Sequence, residues 1–417
     1  MADAPTGALR ALSARRIIGF IADAAERWSD ADFAPRVRAT HAIAKRLRYS
    51  EPVVDYALDR LFFGITRDAL TATIASELGS VDALDGVVAR AGAPAAWARG
   101  VDRVAIVSSD TTIGVALIPA IFALCAKCDV VVKDRSDALV SEFFGSLAEE
   151  HPGFASAATA KTWRGGDDAD EAGILAAADV VVAFGRDEAL RAIRARCATE
   201  ARFVPFGHRA SVGRLTRDDV AALDDELADR IVRDALLYDG EGCLSLHALF
   251  VDAGNEEARA APGGDVRRSI AATLAAACER VGVEFPAVAR SPDADAPVAA
   301  YRNLAAFRAA SGRGGVYRAG GATLVADASH DDPPPLLPRV LPLYAGDDDA
   351  LAAYVAAHRL PVQALGVVTP DERAVALAQR VGAVRVAPFG TLQDPPLAGH
   401  HGGAPRIADF IRWLDAR

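Results

Sequence analysis

The stretch ADVVVAFGRDEALRAIRARCATEARFVPFG, residues 178–207, decides the fold. Its opening run, Ala178 to Gly185, is apolar at nearly every position, the mark of a strand buried on both faces. Asp187 to Arg196 places Leu190 and Ile193 three residues apart, a helical spacing. RFVPFG (202–207) then reads as a second strand. A strand, a helix and another apolar strand in succession make the unit of a parallel sheet covered by helices.

The alternation extends upstream. VDRVAIVSS (101–109) reads as a strand, Ile113 to Lys127 as a helix, CDVVVK (128–133) as a buried strand, and Asp137 to Glu149 as a helix. The outline is an α/β, Rossmann-like parallel-sheet cofactor domain, in which ligands bind beyond the carboxyl ends of the strands. The usual G-x-G-x-x-G fingerprint is missing. Gly240-Glu241-Gly242 lacks the third glycine and follows a helix-like stretch, so a dinucleotide must be held differently. Residues from about 1 to 95 read as a helical N-terminal segment, with apolar periodicity in Ile17–Trp28, Val37–Leu47 and Val53–Leu61.

Downstream lies a second α/β segment. Strands are expected at Leu246–Asp252, Ala322–Ala326, Val340–Tyr344, Val362–Val368 and Ala383–Ala387, and helices at 266–281, 348–358 and 371–380. Gly254–Asp265, Ser291–Pro297 and Asp331–Pro338 are rich in Gly, Pro and Asp and read as loops. Ala404–Ala416 reads as a closing helix. The expected division is 1–238 for the helical segment and nucleotide-binding domain, and 239–388 for a catalytic domain. A C-terminal segment, 389–417, returns to the first domain.

Composition narrows the function. The chain has 417 residues and a formal net charge of −10, which argues against nucleic acid as the main partner. Its longest apolar run, Gly114 to Ala126, is short of the roughly 18–20 residues needed to span a bilayer. No secretory signal is read at the start, and five cysteines, an odd number, fit a reducing cytoplasm. Cys125 and Cys128 form a C-x-x-C without a second ligand pair, so no metal site is expected.

The residue of chemical interest is Cys243, in DGEGCLSLHALFVDAG (239–254). It lies between a helix-like stretch (Asp218–Leu237) and an apolar strand-like one, with glycines at 240 and 242. Small flanking residues leave room for a ligand and let turn N–H groups point at it. A thiolate there could attack a carbonyl carbon. A buried structural cysteine at a strand start fits the same local pattern.

Three features in order resemble the aldehyde dehydrogenase superfamily: VVVKDRS, AFGRDEA and the Gly-flanked Cys243. ADVVVAFGRDEALRAI, RFVPFGHRASVG, LLYDGEGCLSLHALFVD and the ending RVAPFGTLQDPPLAGHHGGAPRIADFIRWLD are similar to its acyl-CoA reductase branch. That branch is the reductase component of bacterial-luminescence fatty-acid reductases. The resemblance implies an acyl-CoA or acyl-carrier thioester substrate, an acyl-Cys243 intermediate, hydride from a reduced nicotinamide, and release of an aldehyde. It places Lys133 on the adenosine ribose, and Gly185 and Arg186 at the turn near the nicotinamide and pyrophosphate. Ser136 stands where NAD-preferring members carry an acid. With Arg135 beside it, that favours NADPH, NADH remaining possible. His208 and His401 are possible site histidines, and His247 reads as a packed one.

Two departures matter. Pro205 replaces the glutamate that activates water in hydrolytic members, which favours reduction of a thioester over formation of an acid. Asp110 replaces the asparagine that donates to the oxyanion, and an ionised carboxylate cannot donate. Thr111, Thr112 or the Cys243 N–H remain as donors. The resemblance also implies a homo-oligomer and allows an acyl synthetase or transferase partner. Two other readings stay open: acyl transfer or thioesterase-like use of the same cysteine without hydride transfer, and a catalytically weakened acyl-binding scaffold subunit.

Overall fold

The computed structural model describes residues 7–109, 112–134, 138–163, 169–252, 254, 266–311 and 314–416. Two compact units emerge. The first comprises residues up to Leu47, Val54–Gly207 and Pro396 onward, and the second comprises Arg48–Val53 and His208–Pro395. The dividing line therefore falls after Gly207. The boundary expected at 238/239 lies inside the second unit, because residues 208–238 supply a strand and two helices to it.

In the first unit β1 (Val88–Arg90) and β2 (Ala93–Gly100) are followed by β3 (Arg103–Val107), β4 (Asp129–Lys133), β5 (Ala158–Lys161), β6 (Val180–Phe184) and β7 (Arg202–Phe206). The last five form one parallel sheet in the order β5-β4-β3-β6-β7. All five residues of β6 are buried, as its unbroken apolar run requires. The chain starts at the centre, builds outward through β4 and β5, then crosses back to β6. The carboxyl ends of β3 and β6 thus flank a topological switch point, where such sheets bind ligands.

Helices Ala14–Trp28, Ala34–Leu47, Glu51–Phe63 and Arg67–Leu78 precede the sheet. The last is delimited by its sequence: the Thr66 hydroxyl accepts the Ala69 N–H and Gly79 closes it at φ 83°. Trp28 packs on Phe62 and Phe143 at ring distances of 4.8 and 5.9 Å, and its indole N–H donates to the Ser146 hydroxyl.

Two expectations fail here. Residues 88–95, expected as helix, belong to the hairpin of β1 and β2. Residues 404–416 are not a closing helix either: a short 3-10 turn (Ala408–Phe410) leads into the strand Ile411–Ala416, which pairs antiparallel with β2 over its whole length. Its backbone groups find partners in β2, and Trp413 and Leu414 stay exposed.

The second unit is built on a seven-stranded sheet of β8 (Ala210–Leu215), β9 (Leu246–Val251), β10 (Gly315–Ala319), β11 (Ala322–Ala326), β12 (Val340–Ala345), β13 (Val362–Val367) and β14 (Arg385–Pro388). The order is β10-β11-β12-β9-β8-β13-β14, parallel except for the β10–β11 hairpin. Gly320 makes that hairpin possible: its φ is 53°, and a Cβ there would sit 1.8 Å from the Cys278 carbonyl oxygen. The segment 291–297, expected as loop, opens the helix Pro292–Ala310 instead. Ser291 caps it through the Ala294 N–H and Pro292 takes the first position.

Candidate active site

Cys243 is exposed, in the second unit, on a turn just before β9. The backbone reaches it through three consecutive left-handed residues: Tyr238 (φ 55°), Asp239 (φ 53°) and Gly240 (φ 71°). Two adjacent non-glycine residues in this region cost free energy and persist only where the surroundings enforce them. The enforcing groups are visible. Arg339 Nε donates to Asp239 Oδ1 at 2.6 Å, and Arg290 Nη2 to Asp239 Oδ2 at 3.0 Å. The Arg339 N–H donates to the Asp239 carbonyl at 2.8 Å. Arg339 also donates to the carbonyls of Phe285 (2.6 Å) and Gly320 (3.3 Å), and Arg290 reaches Glu241 at 3.3 Å.

The turn itself is closed by short bonds. The Ser245 N–H donates to the Gly242 carbonyl at 2.9 Å, and the Gly242 N–H donates back to the Ser245 hydroxyl at 3.1 Å. The Ser211 hydroxyl on β8 donates to the Cys243 carbonyl at 2.8 Å. The Gln393 amide donates to the Ser245 hydroxyl at 2.7 Å.

Protein packed around the sulfur raises the Cys243 thiol above its ordinary pKa. Its own N–H, the positive charge of Arg209 and the Leu244 N–H pull in the opposite direction. The residue as a whole is exposed to water, while protein packs closely around its sulfur. The other cysteines differ. Cys125 and Cys128 are fully buried where a helix meets β4, and burial raises the Cys125 thiol to about 12. Among the described residues no group of three or more His, Cys, Asp or Glu could hold a metal ion. Nor is any described helix long and apolar enough to cross a membrane.

His247 is buried, and its Nδ1 accepts the Ser211 N–H at 3.2 Å. Burial, with the charge of His208 nearby, lowers its pKa to about 4, so it stays neutral and structural. His208 itself is exposed at the start of the second unit.

The remaining expected site residues belong to the first unit. Lys133 ends β4, but it does not face water. Its ammonium is buried, 3.3 Å from Glu171 Oε1 and 5.2 Å from the centre of the Trp163 ring. The other Glu171 oxygen accepts from Arg196 at 3.1 Å. The Trp163 indole N–H is buried without a hydrogen-bond partner among the described residues. Gly185 follows β6 and donates its N–H to the Phe206 carbonyl at 3.2 Å, while Arg186, exposed, precedes the helix Asp187–Arg194. His401 borders the turn closed by its bridge to Ala404 and packs against aromatic rings. It stacks on Phe206 at 4.3 Å and tilts against Phe184 at 5.6 Å, and with Ile118, Pro119 and Val204 it lines a small cavity. Burial and the Arg406 charge lower its pKa to about 3.

Asp110, Thr111, Arg135 and Ser136 lie outside the described residues. Sequence reading missed Asp239, Arg290 and Arg339 around the turn, Ser211, Ser245 and Gln393 against it, and Trp163 and Glu171 around Lys133. Only the Asp239-Gly240 pair carries a local signal, since Asp and Gly favour left-handed backbone.

Solved structures share this architecture. Lactaldehyde dehydrogenase from Escherichia coli aligns over 98% of this chain and 87% of its own, at 14% identity and a TM-score of 0.67. An aldehyde dehydrogenase from Brucella melitensis biovar abortus 2308 aligns over 99% and 85%, at 14% identity and TM-score 0.65. An NADP-dependent enzyme from E. coli aligns over 98% and 86%, at 14% identity and TM-score 0.66. At these identities the likeness establishes the fold. No curated protein matches the sequence. The sequence pattern of one family, acyl-CoA reductase (LuxC), matches residues 9–413, nearly the whole length. The chain belongs to the LuxC family of acyl-CoA reductases.

Proposed function

We propose that this protein reduces an acyl thioester, carried on CoA or a carrier, to an aldehyde, with NADPH as the hydride source and Cys243 as the nucleophile. The observation that carries the reading is Cys243 itself. It is the one exposed cysteine among the described residues, on a left-handed turn braced by two arginines, in a chain of acyl-CoA reductase family.

The Cys243 thiolate attacks the thioester carbonyl carbon, and the departing thiolate takes up a proton as CoA or carrier thiol. An acyl-cysteine thioester remains, so one hard step becomes two easier ones. The Cys243 and Leu244 N–H groups favour the thiolate, and as backbone donors beside the nucleophile they are the groups proposed to receive the oxyanion. A nicotinamide, when bound, supplies a hydride to the acyl carbon. Loss of the Cys243 thiolate from the reduced carbon frees the aldehyde. Pro205 at the end of β7 offers no general base, so hydrolysis of the acyl-enzyme is not assisted there.

The cofactor fits the first unit's chemistry. Lys133 brings a cation to the carboxyl end of β4, and the Trp163 N–H, without a partner among the described residues, offers a donor to a nucleotide oxygen. Gly185 brings bare backbone to the switch point beside β6. NADPH is preferred over NADH because Ser136 lacks a carboxylate, and a fold neighbour is described as NADP-dependent. The antiparallel sheet of β1, β2 and the C-terminal strand, whose Trp413 and Leu414 are exposed, is proposed as the contact of a homo-oligomer. An acyl synthetase or transferase is the proposed source of substrate.

Substituting Cys243→Ala tests the mechanism. It abolishes aldehyde formation and leaves NADPH binding intact. Aldehyde formed by that variant would overturn the proposal.

A further inference from the structure

The bonds that close the Cys243 turn converge on a residue outside it. Gln393 follows β14, and its amide Nε2 donates to the Ser245 hydroxyl at 2.7 Å. That hydroxyl is at the same time the acceptor for the Gly242 N–H at 3.1 Å. Gly242 and Ser245 are the two ends of the turn that presents Cys243, tied by the Ser245 N–H to Gly242 carbonyl bond at 2.9 Å. On its other side Gln393 Oε1 lies 3.6 Å from where a Gly242 Cβ would stand. The side chain therefore both holds the turn's hydrogen-bond hub and backs its first residue.

Gln393 is itself held in place. Asp234, buried in the last turn of the helix Asp225–Leu236, accepts the Gly390 N–H at 2.6 Å and the Leu392 N–H at 3.1 Å. These bonds fix the loop that delivers Gln393. Gly390, at φ 87°, packs against Arg230 with little room to move. A line of directional contacts thus runs from Asp234 through the 390–393 backbone and the Gln393 amide to Ser245 and the Cys243 turn. None of these residues needs to touch a substrate.

We propose that Gln393 is a positioning residue for the Cys243 nucleophile, acting through the Ser245 hydroxyl, with Asp234 setting its loop. The proposal rests on the assignment of Cys243 as nucleophile. The hydrogen bond orients the hydroxyl so that a lone pair faces the Gly242 N–H. This fixes the backbone on either side of Cys243, whose own N–H and that of Leu244 pull the thiol's pKa down. Loss of the amide frees the turn to relax, and the thiolate loses part of that stabilisation while Arg209 remains.

A double-mutant cycle between Gln393→Leu and Ser245→Ala tests this. The readout is the second-order rate of Cys243 alkylation by iodoacetamide across pH, beside the melting temperature of each variant. Gln393→Leu slows alkylation at neutral pH about tenfold, the scale of one lost hydrogen bond, and moves the pH midpoint of the reaction upward. Ser245→Ala does the same, and the double variant is no slower than either single one. Unchanged alkylation in Gln393→Leu overturns the proposal. So do single effects that multiply in the double variant, or a rate loss that only follows the loss of melting temperature. Acyl loading of the unsubstituted protein by acyl-CoA is measured in parallel. If loading fails while the cycle still couples, the thioester reading falls and the positioning role stands. If loading succeeds and the coupling is absent, only the positioning role falls.

Discussion

Replacing Arg339 by methionine should unfasten the turn that carries Cys243. Arg339 and Asp239 are both about 5% exposed, and their bond is 2.6 Å long. The same guanidinium holds the carbonyls of Phe285 and Gly320. Methionine keeps much of the apolar stem and removes every side-chain donor, the backbone N–H to the Asp239 carbonyl remaining. Breaking a buried ion pair by deleting one partner typically costs about 3–5 kcal/mol, because a charge is left buried. Arg290 still reaches Asp239 at 3.0 Å, so the lower end, about 3 kcal/mol, applies here. For a unit of this size each kcal/mol lowers the melting temperature by roughly 2–4 °C, so a fall of about 6–12 °C is expected in calorimetry. Arg339→Lys should fall between, since one ammonium cannot serve a carboxylate and two carbonyls at once. Adding Asp239→Asn to Arg339→Met should recover part of the loss by removing the stranded charge. Iodoacetamide alkylation of Cys243 should change alongside. A methionine variant melting within about 1 °C of the parent, with unaltered Cys243 reactivity, would refute the bracing role of Arg339.

Three further outcomes are expected. Gly240→Ala places a Cβ 2.9 Å from the Ala235 carbonyl oxygen at φ 71°, so it should cost at least the roughly 1–2 kcal/mol of a left-handed alanine and slow Cys243 alkylation; a stability equal to the parent's would contradict the geometry. His401 has a folded pKa of about 3 against an ordinary 6.5. The unfolded chain therefore binds the extra proton first, and stability contributed by the neutral ring is present above 6.5 and lost as pH falls toward 3. His401→Phe should flatten that acid limb in melts recorded between these values, and an unchanged slope would count against the stacked neutral ring. Lys133→Met should weaken NADPH binding by at least about tenfold, the scale of a charged hydrogen bond. The binding is read by energy transfer from Trp163, 5.2 Å from the Lys133 ammonium, to the reduced nicotinamide; equal affinity would remove Lys133 from the cofactor site.

The sequence was most legible where burial acts on both faces of a strand. β4 is built on Val130–Val132 and β6 reads VVVAF, and each was found from its apolar run. β8 was missed because Ser211, Gly213 and Arg214 break the run. The structure buries them anyway, giving Ser211 to Cys243 and His247 as partners. The C-terminal strand misleads for a different reason. Ile407, Phe410, Ile411 and Leu414 fall at helical spacing, and pairing with β2 overrides it. The helical segment read to about residue 95 runs into the alanine-rich start of β2, yet Gly92 (φ 70°) turns that stretch back on β1. Pro292 and Pro297 were read as breakers, although proline after a serine cap suits a first helical turn.

The site divides along similar lines. The turn at Cys243 was legible because glycines mark it locally, while the assignment of a nucleophile came from the family resemblance. Its braces were not, because Arg290, Arg339 and Gln393 lie 47, 96 and 150 residues away in sequence and carry no local signal of their own. Lys133 was legible as a strand-end lysine, but its ion pair with Glu171 and its place beside Trp163 depend on the packing of separate elements.

The most direct test of the central claim is the intact mass of the protein after incubation with a panel of acyl-CoAs, before and after NADPH is added. The account predicts a mass gain of one acyl group on Cys243, absent in Cys243→Ala, that NADPH discharges with release of the matching aldehyde. Acyl groups that load elsewhere, or that NADPH leaves in place, would contradict it.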